Sequence, residues 1–208
     1  MNRRGFFSSL FQTTPQIFFF GVQVALLTIS TDTTRKRLHT LLENAGEYES
    51  PKDKTSLYKQ IAAILLENKP YWEYGYWDYL TEASEAQSEF HEWVAEITAS
   101  MATEEEELGK SVDEAHRLSS DKTYIVVTVA FILEYEALQN VAAVIEDIPE
   151  EEYWSCVGFT ELLEALKRID YEYCLKDAVF LMPGTDEDGF SWEDLHSPDW
   201  SYLKPISL

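Results

Sequence analysis

The densest run of chemistry-bearing side chains is aromatic: Tyr71, Trp72, Tyr74, Tyr76, Trp77 and Tyr79 crowd residues 71–79. An extended backbone sends successive side chains to opposite faces, so these rings cannot all enter one core. Tyr and Trp pair a large apolar area with a polar tip and dominate binding hot spots. Some of the cluster fills a core and its rim, and the rest is expected to offer a surface to a partner or a small ligand. Directly afterwards, Glu82, Glu85, Glu89, Glu92 and Glu96 recur at intervals of three and four, which sets them on one helix face. Like charges at this spacing destabilise a helix. The plain account of the row is a solvated face. The functional account is a basic partner. Tyr71, Trp72, Tyr74, Tyr76, Trp77, Glu85, Glu89 and Glu92 are therefore the candidate partner-binding residues.

Other patterns fail on their requirements. His91 does not complete a Glu-x-x-His spacing with the acidic row, and a di-iron bundle needs such motifs on facing helices. Asp113-Glu114-Ala115-His116 spells a helicase tetrapeptide, but no GxxxxGK[ST] loop is present to cradle phosphate. Asp186, Asp188 and Gly189 hint at a calcium loop, yet Gly184 occupies the first ligand position and Glu193 falls two residues early. His39, His91, His116 and His196 are scattered, without HExxH or CxxC. There is no GxSxG elbow and no GxGxxG after a strand. No metal or cofactor is expected. An enzyme of unrecognised type would draw acid–base groups from Glu134, Glu136, Asp177 and Asp186. A ligand sensor would use the aromatic cluster as a cup.

The chain has 208 residues, with 38 Asp and Glu against 16 Lys and Arg, a formal charge of −22. Duplex binding needs cations to release counterions, and the same field opposes an anionic membrane surface. A hydrophobic fraction of 45% fills a real core. Cys156 and Cys174 are too few for a disulfide scaffold and read as small core hydrophobes, which suits a reducing cytoplasm. Asn2-Arg3-Arg4-Gly5-Phe6-Phe7 resembles a twin-arginine export signal, the minor alternative, but Gln12, Thr13, Thr14, Pro15 and Gln16 interrupt the apolar stretch behind it. The unbroken apolar run at 17–27 is eleven residues long and includes Gln23, where a membrane helix needs about twenty. A buried strand over 17–29 is the better account.

These patterns require a frame to hold them. Strands are expected at 17–29 and 124–132, apolar on both faces, at 71–79, and at 177–182 before Pro183-Gly184. Helices are expected at 34–45 with Leu38, Leu41 and Leu42 inward, capped by Ser30-Thr31-Asp32 and Gly46. A second helix starts at Ser50-Pro51, with Leu57, Ile61, Ile64 and Leu65 inward and Lys52, Lys54 and Lys59 on a basic outer face. A third, at 81–101, buries Phe90, Trp93, Val94 and Ile97. Further helices are expected at 136–145 and 157–169, with one helical turn at 192–195. The order β-α-α-β-α-β-α-α-β gives one α+β domain over 17–208, a three- to four-stranded sheet covered by helices. Residues 1–16 form a tail, and an acidic helical insertion lies near 103–119.

Four blocks, taken in order, are similar to one family. They are Gly21-Val22-Gln23-Val24-Ala25-Leu26-Leu27 leading to Arg37-Leu38; the helix around Ala62-Ala63-Ile64-Leu65-Leu66 followed by Pro70-Tyr71, Gly75-Tyr76 and Glu89-Phe90; Tyr124-Ile125-Val126-Val127-Thr128-Val129; and Leu162 to Ile169, then Pro183, Asp194-Leu195 and Leu203-Lys204-Pro205-Ile206. The chain resembles the uncharacterised domain of unknown function 1517 over about residues 20–206, a family with cyanobacterial, chloroplast and other bacterial members. The resemblance carries no catalytic residues. Some plastid members are linked to photoprotective acclimation at membranes through an upstream hydrophobic segment, which is not expected here. The chain departs from the family at 104–119 and at Leu181-Met182, where relatives carry a tryptophan. The expectation is a non-enzymatic, acidic interaction protein of the cytoplasm that binds a protein partner with a basic face.

Overall fold

Eleven residues that are apolar on both pleat faces can only be the middle of a sheet with two covers. The computed structural model describes residues 16–28, 33–43, 50–109, 123–184 and 189–208. In it β1 (Ile17–Leu27) is the central strand, buried at every position but the last. It pairs with β2 (Trp72–Leu80) on one side and β3 (Tyr124–Glu134) on the other; β4 (Cys174–Met182) flanks β3 and β5 (Lys204–Pro205) flanks β2. All pairings are antiparallel, giving the order β4-β3-β1-β2-β5.

One sheet face presents Phe18, Phe20, Val22, Val24 and Leu26 beside Val127, Val129, Phe131 and Leu133. Helices α2 (Pro51–Glu67), α4 (Tyr135–Glu146) and α5 (Cys156–Leu166) cover it, and α1 (Thr34–Glu43) adds Leu38, so that one continuous apolar cluster forms. The opposite face is covered by α3 (Ala83–Gly109), through Ala86, Phe90, Trp93 and Ile97, and by the C-terminal segment. That segment is tied to the start of β3 by paired backbone bonds between Phe190 and Tyr124 (2.8 and 2.9 Å). It passes through the helical turn α6 (Trp192–Leu195), buries Trp200 and Leu203, and ends beside β2, where Ile206 N donates to Glu73 O at 2.9 Å. The result is three layers: helices, sheet, then helix plus tail.

Two glycines set how closely the covers approach. A Cβ on Gly21 would lie 2.6 Å from Phe19 Cζ and 2.7 Å from Trp93 Cζ3. On the other face, a Cβ on Gly75 would lie 2.5 Å from Phe159 Cε1. Gly21 thus admits two rings against the sheet backbone and Gly75 admits one. Helix starts follow the sequence chemistry: Ser50 Oγ accepts from Asp53 N, with Pro51 opening α2, and Ser155 Oγ accepts from Val157 N and Gly158 N.

The mixed helix–sheet class is as expected, but the sheet has five strands rather than three or four, and the order of elements differs in detail, with short 3-10 turns between them and α6 and β5 following β4. β5 is two residues long and contains a proline, so it carries no alternating pattern. β4 begins three residues early: Leu175 and Lys176 lie exposed on the sheet edge, and the charges of Lys176 and Asp177 interrupt the apolar pattern that marks the rest of the strand. α3 runs to Gly109 through the acidic run rather than stopping at 101. Lys54 leaves the basic outer face of α2 for a partly buried ion pair with Asp177. The caps at 30–32 and 46, the Asp113–His116 tetrapeptide, the 110–119 part of the acidic insertion and the acids of 186–188 lie outside the described residues. Among the described residues no helix is long and apolar enough to cross a membrane.

Gly21→Ala is expected to destabilise the protein by about 1–3 kcal/mol, because its methyl meets two fixed rings rather than a flexible side-chain end. Chemical denaturation checks this through a lowered midpoint at unchanged slope.

Candidate functional site

Gln23 is the one polar side chain of β1, and it points to the α3 face with 2% exposure. Its register neighbours are Thr128 on β3 and Tyr76 on β2. Gln23 Nε2 donates to Thr128 Oγ1 at 3.0 Å, and Thr128 is itself fully buried. Gln23 Oε1 is buried and has no hydrogen-bond partner among the described residues. An orphaned buried acceptor costs about 1–3 kcal/mol. This polar row divides the face. Phe19, Ala130 and Ile132 cluster with Ala86, Phe90 and Trp93 on one side of it; Ala25 and Val126 cluster with Ile97, Trp200 and Leu203 on the other.

Over that row, between α3 and the tail, lies a cleft of about 220 Å3. The sheet contributes Gln23 and Tyr76, and the tail contributes Tyr202. Trp93 and Ile97 form the apolar part of the helix wall, and Glu89, Glu92 and Glu96 bring carboxylates to it. Tyr76 is the hub of the rings: it meets Tyr202 edge-on at 5.4 Å, Trp93 at 5.8 Å, and stacks on Trp154 at 5.9 Å. Glu89 Oε1 accepts from the Trp93 indole N–H at 2.7 Å, and Glu92 Oε1 accepts from Ser88 Oγ at 3.2 Å. Among the described residues no lysine or arginine lines the cleft.

The electrostatics are those of crowded acids beside a low-dielectric wall. Burial raises the Glu89 carboxyl above its ordinary range; the Trp93 donor pulls it back, while Asp78, Glu92 and Glu96 push it further up. Asp78 is the next inward-facing residue of β2 after Tyr76 and is also raised by burial, against the pull of the Tyr79 backbone N–H. Burial lifts the Tyr76 phenol, with Asp78 and Glu89 adding to it. Burial also pushes Tyr202 up to about 12, partly opposed by the Gln23 amide. Positive charge nearby would favour the ionised form of the Glu89 and Asp78 carboxyls.

The expected partner-binding residues divide as the pleat requires. Tyr76, Glu89 and Glu92 come together in the cleft. Tyr74 lies on the same face farther along β2, edge-on to His196 at 5.3 Å. Glu85 is exposed in the first turn of α3 and does not line the cleft. Tyr71 is exposed in the turn before β2. Trp72 is a core residue instead of a surface one: it is 4% exposed, and its indole N–H donates to Leu65 O at 3.0 Å. Trp77 turns to the other face and donates to Tyr153 O at 2.9 Å. Gln23, Asp78, Trp93, Glu96, Thr128 and Tyr202 belong to the site without having been singled out. The signal that could have found it is Gln23, a lone amide in an apolar strand.

The carboxylates considered for catalysis do not assemble here. Asp177 is committed to Lys54 and to the Tyr58 hydroxyl, which donates to Asp177 Oδ2 at 2.8 Å. Glu136 is exposed in the first turn of α4, and Glu134 sits at its N-cap. Asp186 lies outside the described residues. Cys174, beside Asp177, has its thiol pushed up to about 12 by burial first and by Asp177 second, so it stays protonated. Among the described residues no group of three or more His, Cys, Asp or Glu could hold a metal ion. A second, wider cleft between α1 and α2 is lined by Lys36, Arg37, Thr40 and Gln60, with Arg37 paired to Glu67 at 2.7 Å.

An open five-stranded antiparallel sheet, with helices on one face and one long helix plus a tail on the other, defines the architecture around this cleft. The chain belongs to the family described as "Protein of unknown function (DUF1517)", whose model matches residues 17–206. The match begins at the first residue of β1 and ends at Ile206, so it spans the whole sheet and both walls of the cleft. No curated protein and no solved structure matches the chain.

The raised carboxyls carry a sign. A folded-state pKa above the unfolded value means that the folded chain holds the proton more tightly, so stability is gained as pH falls through the raised pKa and lost as pH rises above it. Glu89→Gln keeps an oxygen for Trp93 and removes the charge. It is expected to raise the melting midpoint by about 1–3 °C near neutrality, with the difference shrinking toward about pH 5. Parallel thermal melts of the two proteins across that range check it.

Proposed function

We propose that this chain is a non-enzymatic interaction protein that binds a protein partner through its acidic α3 face, and that the partner presents a basic surface. The observation that carries this reading is the meeting of Glu89, Glu92 and Glu96 with Tyr76, Trp93 and Tyr202 in one cleft that no lysine or arginine lines among the described residues. Aromatic rings supply anchoring area, and carboxylates supply steering and register. With a formal charge of −22, association with a cationic protein is fast and salt-sensitive. Cytoplasmic residence is part of the proposal and is supported by two cysteines that remain free thiols. A volume of about 220 Å3 is below the usual range for cofactor pockets, which favours a surface that grips part of a partner over a sensor that encloses a metabolite.

The test is affinity capture from native lysate at low and moderate salt, followed by titration of the captured partner. A basic partner is expected, with affinity falling about tenfold as salt screens the exposed charges. Glu92→Lys combined with Glu96→Lys is expected to abolish capture. Glu161→Lys, an equal charge change per site on the exposed side of α5, is expected to leave it intact. Salt-independent binding, or equal loss from the α5 variant, would contradict the reading.

A further inference from the structure

We propose that the cleft over Gln23 is a socket for one alkylammonium group, the head of a lysine-type side chain. This rests on the basic-partner reading and names the group by which the partner is held. Four observations converge on that chemistry. At the base, Gln23 is 2% exposed, its Nε2 is used on Thr128, the Tyr202 hydroxyl lies beside its amide, and its Oε1 has no hydrogen-bond partner among the described residues. On the walls, the rings of Tyr76, Trp93 and Tyr202 are of the kind that attracts a cation over its face. At the rim, Glu92 and Glu96 are exposed and Glu89 is half-buried, so charge lines the way in. In size, about 220 Å3 holds an ammonium and several methylenes.

The alternatives fit less well. An anion meets three carboxylates. A neutral apolar group leaves the Gln23 oxygen unsatisfied. A guanidinium presents a planar fork that wants paired acceptors, whereas the base offers a single carbonyl oxygen. An ammonium has three donors, one for Gln23 Oε1 and two for rim carboxylates, and its stem packs on Trp93 and Ile97 as lysine stems do on apolar surface. The same reasoning accounts for a polar pair kept in the middle of an apolar sheet face, where a leucine and a valine would pack without orphaned atoms.

The test is an NMR titration of the full chain, read at the Trp93 indole N–H, with N-acetyl-lysine methylamide, n-butylammonium, n-butylguanidinium and n-butanol. Saturable millimolar shifts are expected from the first two, weaker ones from the guanidinium and none from the alcohol. Glu92→Gln and Glu96→Gln, both on exposed positions, are each expected to weaken the ammonium about two- to fivefold. The double variant Gln23→Leu with Thr128→Val is expected to melt at or above the wild-type temperature and to lose about tenfold in ammonium affinity. Absence of any ammonium shift, equal binding of butanol or butylguanidinium, or full affinity in both the glutamine variants and the double variant would overturn the socket. The source of the amine is read from the captured partner. A partner peptide whose single lysine is replaced by norleucine is expected to lose binding; a free diamine that binds while no basic protein is captured would move the ligand to small amines and sink the partner reading. If the basic partner binds wild type and the double variant equally, the acidic-face reading stands and the socket falls.

Discussion

The strand Ile17–Leu27 has no face that tolerates water, and the placement of the other elements follows from the need to cover both sides of it. Helices α2, α4 and α5 close one side with a continuous aliphatic and aromatic layer. Among the described residues the other side is covered by α3 and an irregular tail, which pack together through Ile97, Trp200 and Leu203 and leave a cleft over Gln23. Gly21, next to the middle of the strand, lets Trp93 sit against the sheet backbone on one side of Gln23, while Trp200 and Leu203 cluster with Ala25 on the other. The seam between them falls on Gln23 and Thr128. A polar pair at the seam and a cleft above it are therefore one feature seen twice.

That seam is also where the charge distribution becomes specific. Acids are spread over the whole molecule, and most need no explanation beyond solvation. Glu89 differs because its carboxylate is tied to a buried indole and crowded by Asp78, Glu92 and Glu96 across two elements. Such an arrangement opposes folding and favours a cation, which is the trade-off expected of a binding surface rather than of a structural one. The Asp177–Lys54–Tyr58 group shows the contrast. There an acid is paired, hydrogen-bonded and packed against the stacked rings of Tyr58 and Tyr171, so it is already satisfied within the fold.

Much of the frame was legible in the residues. The apolar runs at 17–29 and 124–132 read as central strands, and Ser50-Pro51 marked a helix start that the structure places at the same residue. What escaped was set by long-range geometry. Lys204–Pro205 becomes a strand only because β2 offers it an edge, and Trp72 leaves the surface because Leu65 O waits for its indole. The site itself was half visible. Tyr76, Glu89 and Glu92 were on the page as an aromatic and an acidic motif, but register decides that Tyr76 lies opposite Gln23, and chain closure decides that Tyr202 comes to join them. Neither can be read from spacing along the chain.

The most direct measurement is the titration of the Glu89 side-chain carboxyl by carbon-detected NMR, with and without n-butylammonium. The account predicts a midpoint above the ordinary carboxylate range in the free protein, brought down when the ammonium is present, because a cation in the cleft relieves both the burial and the crowding. An ordinary midpoint that the amine does not move would contradict it, and would leave the seam over Gln23 as a gap in packing.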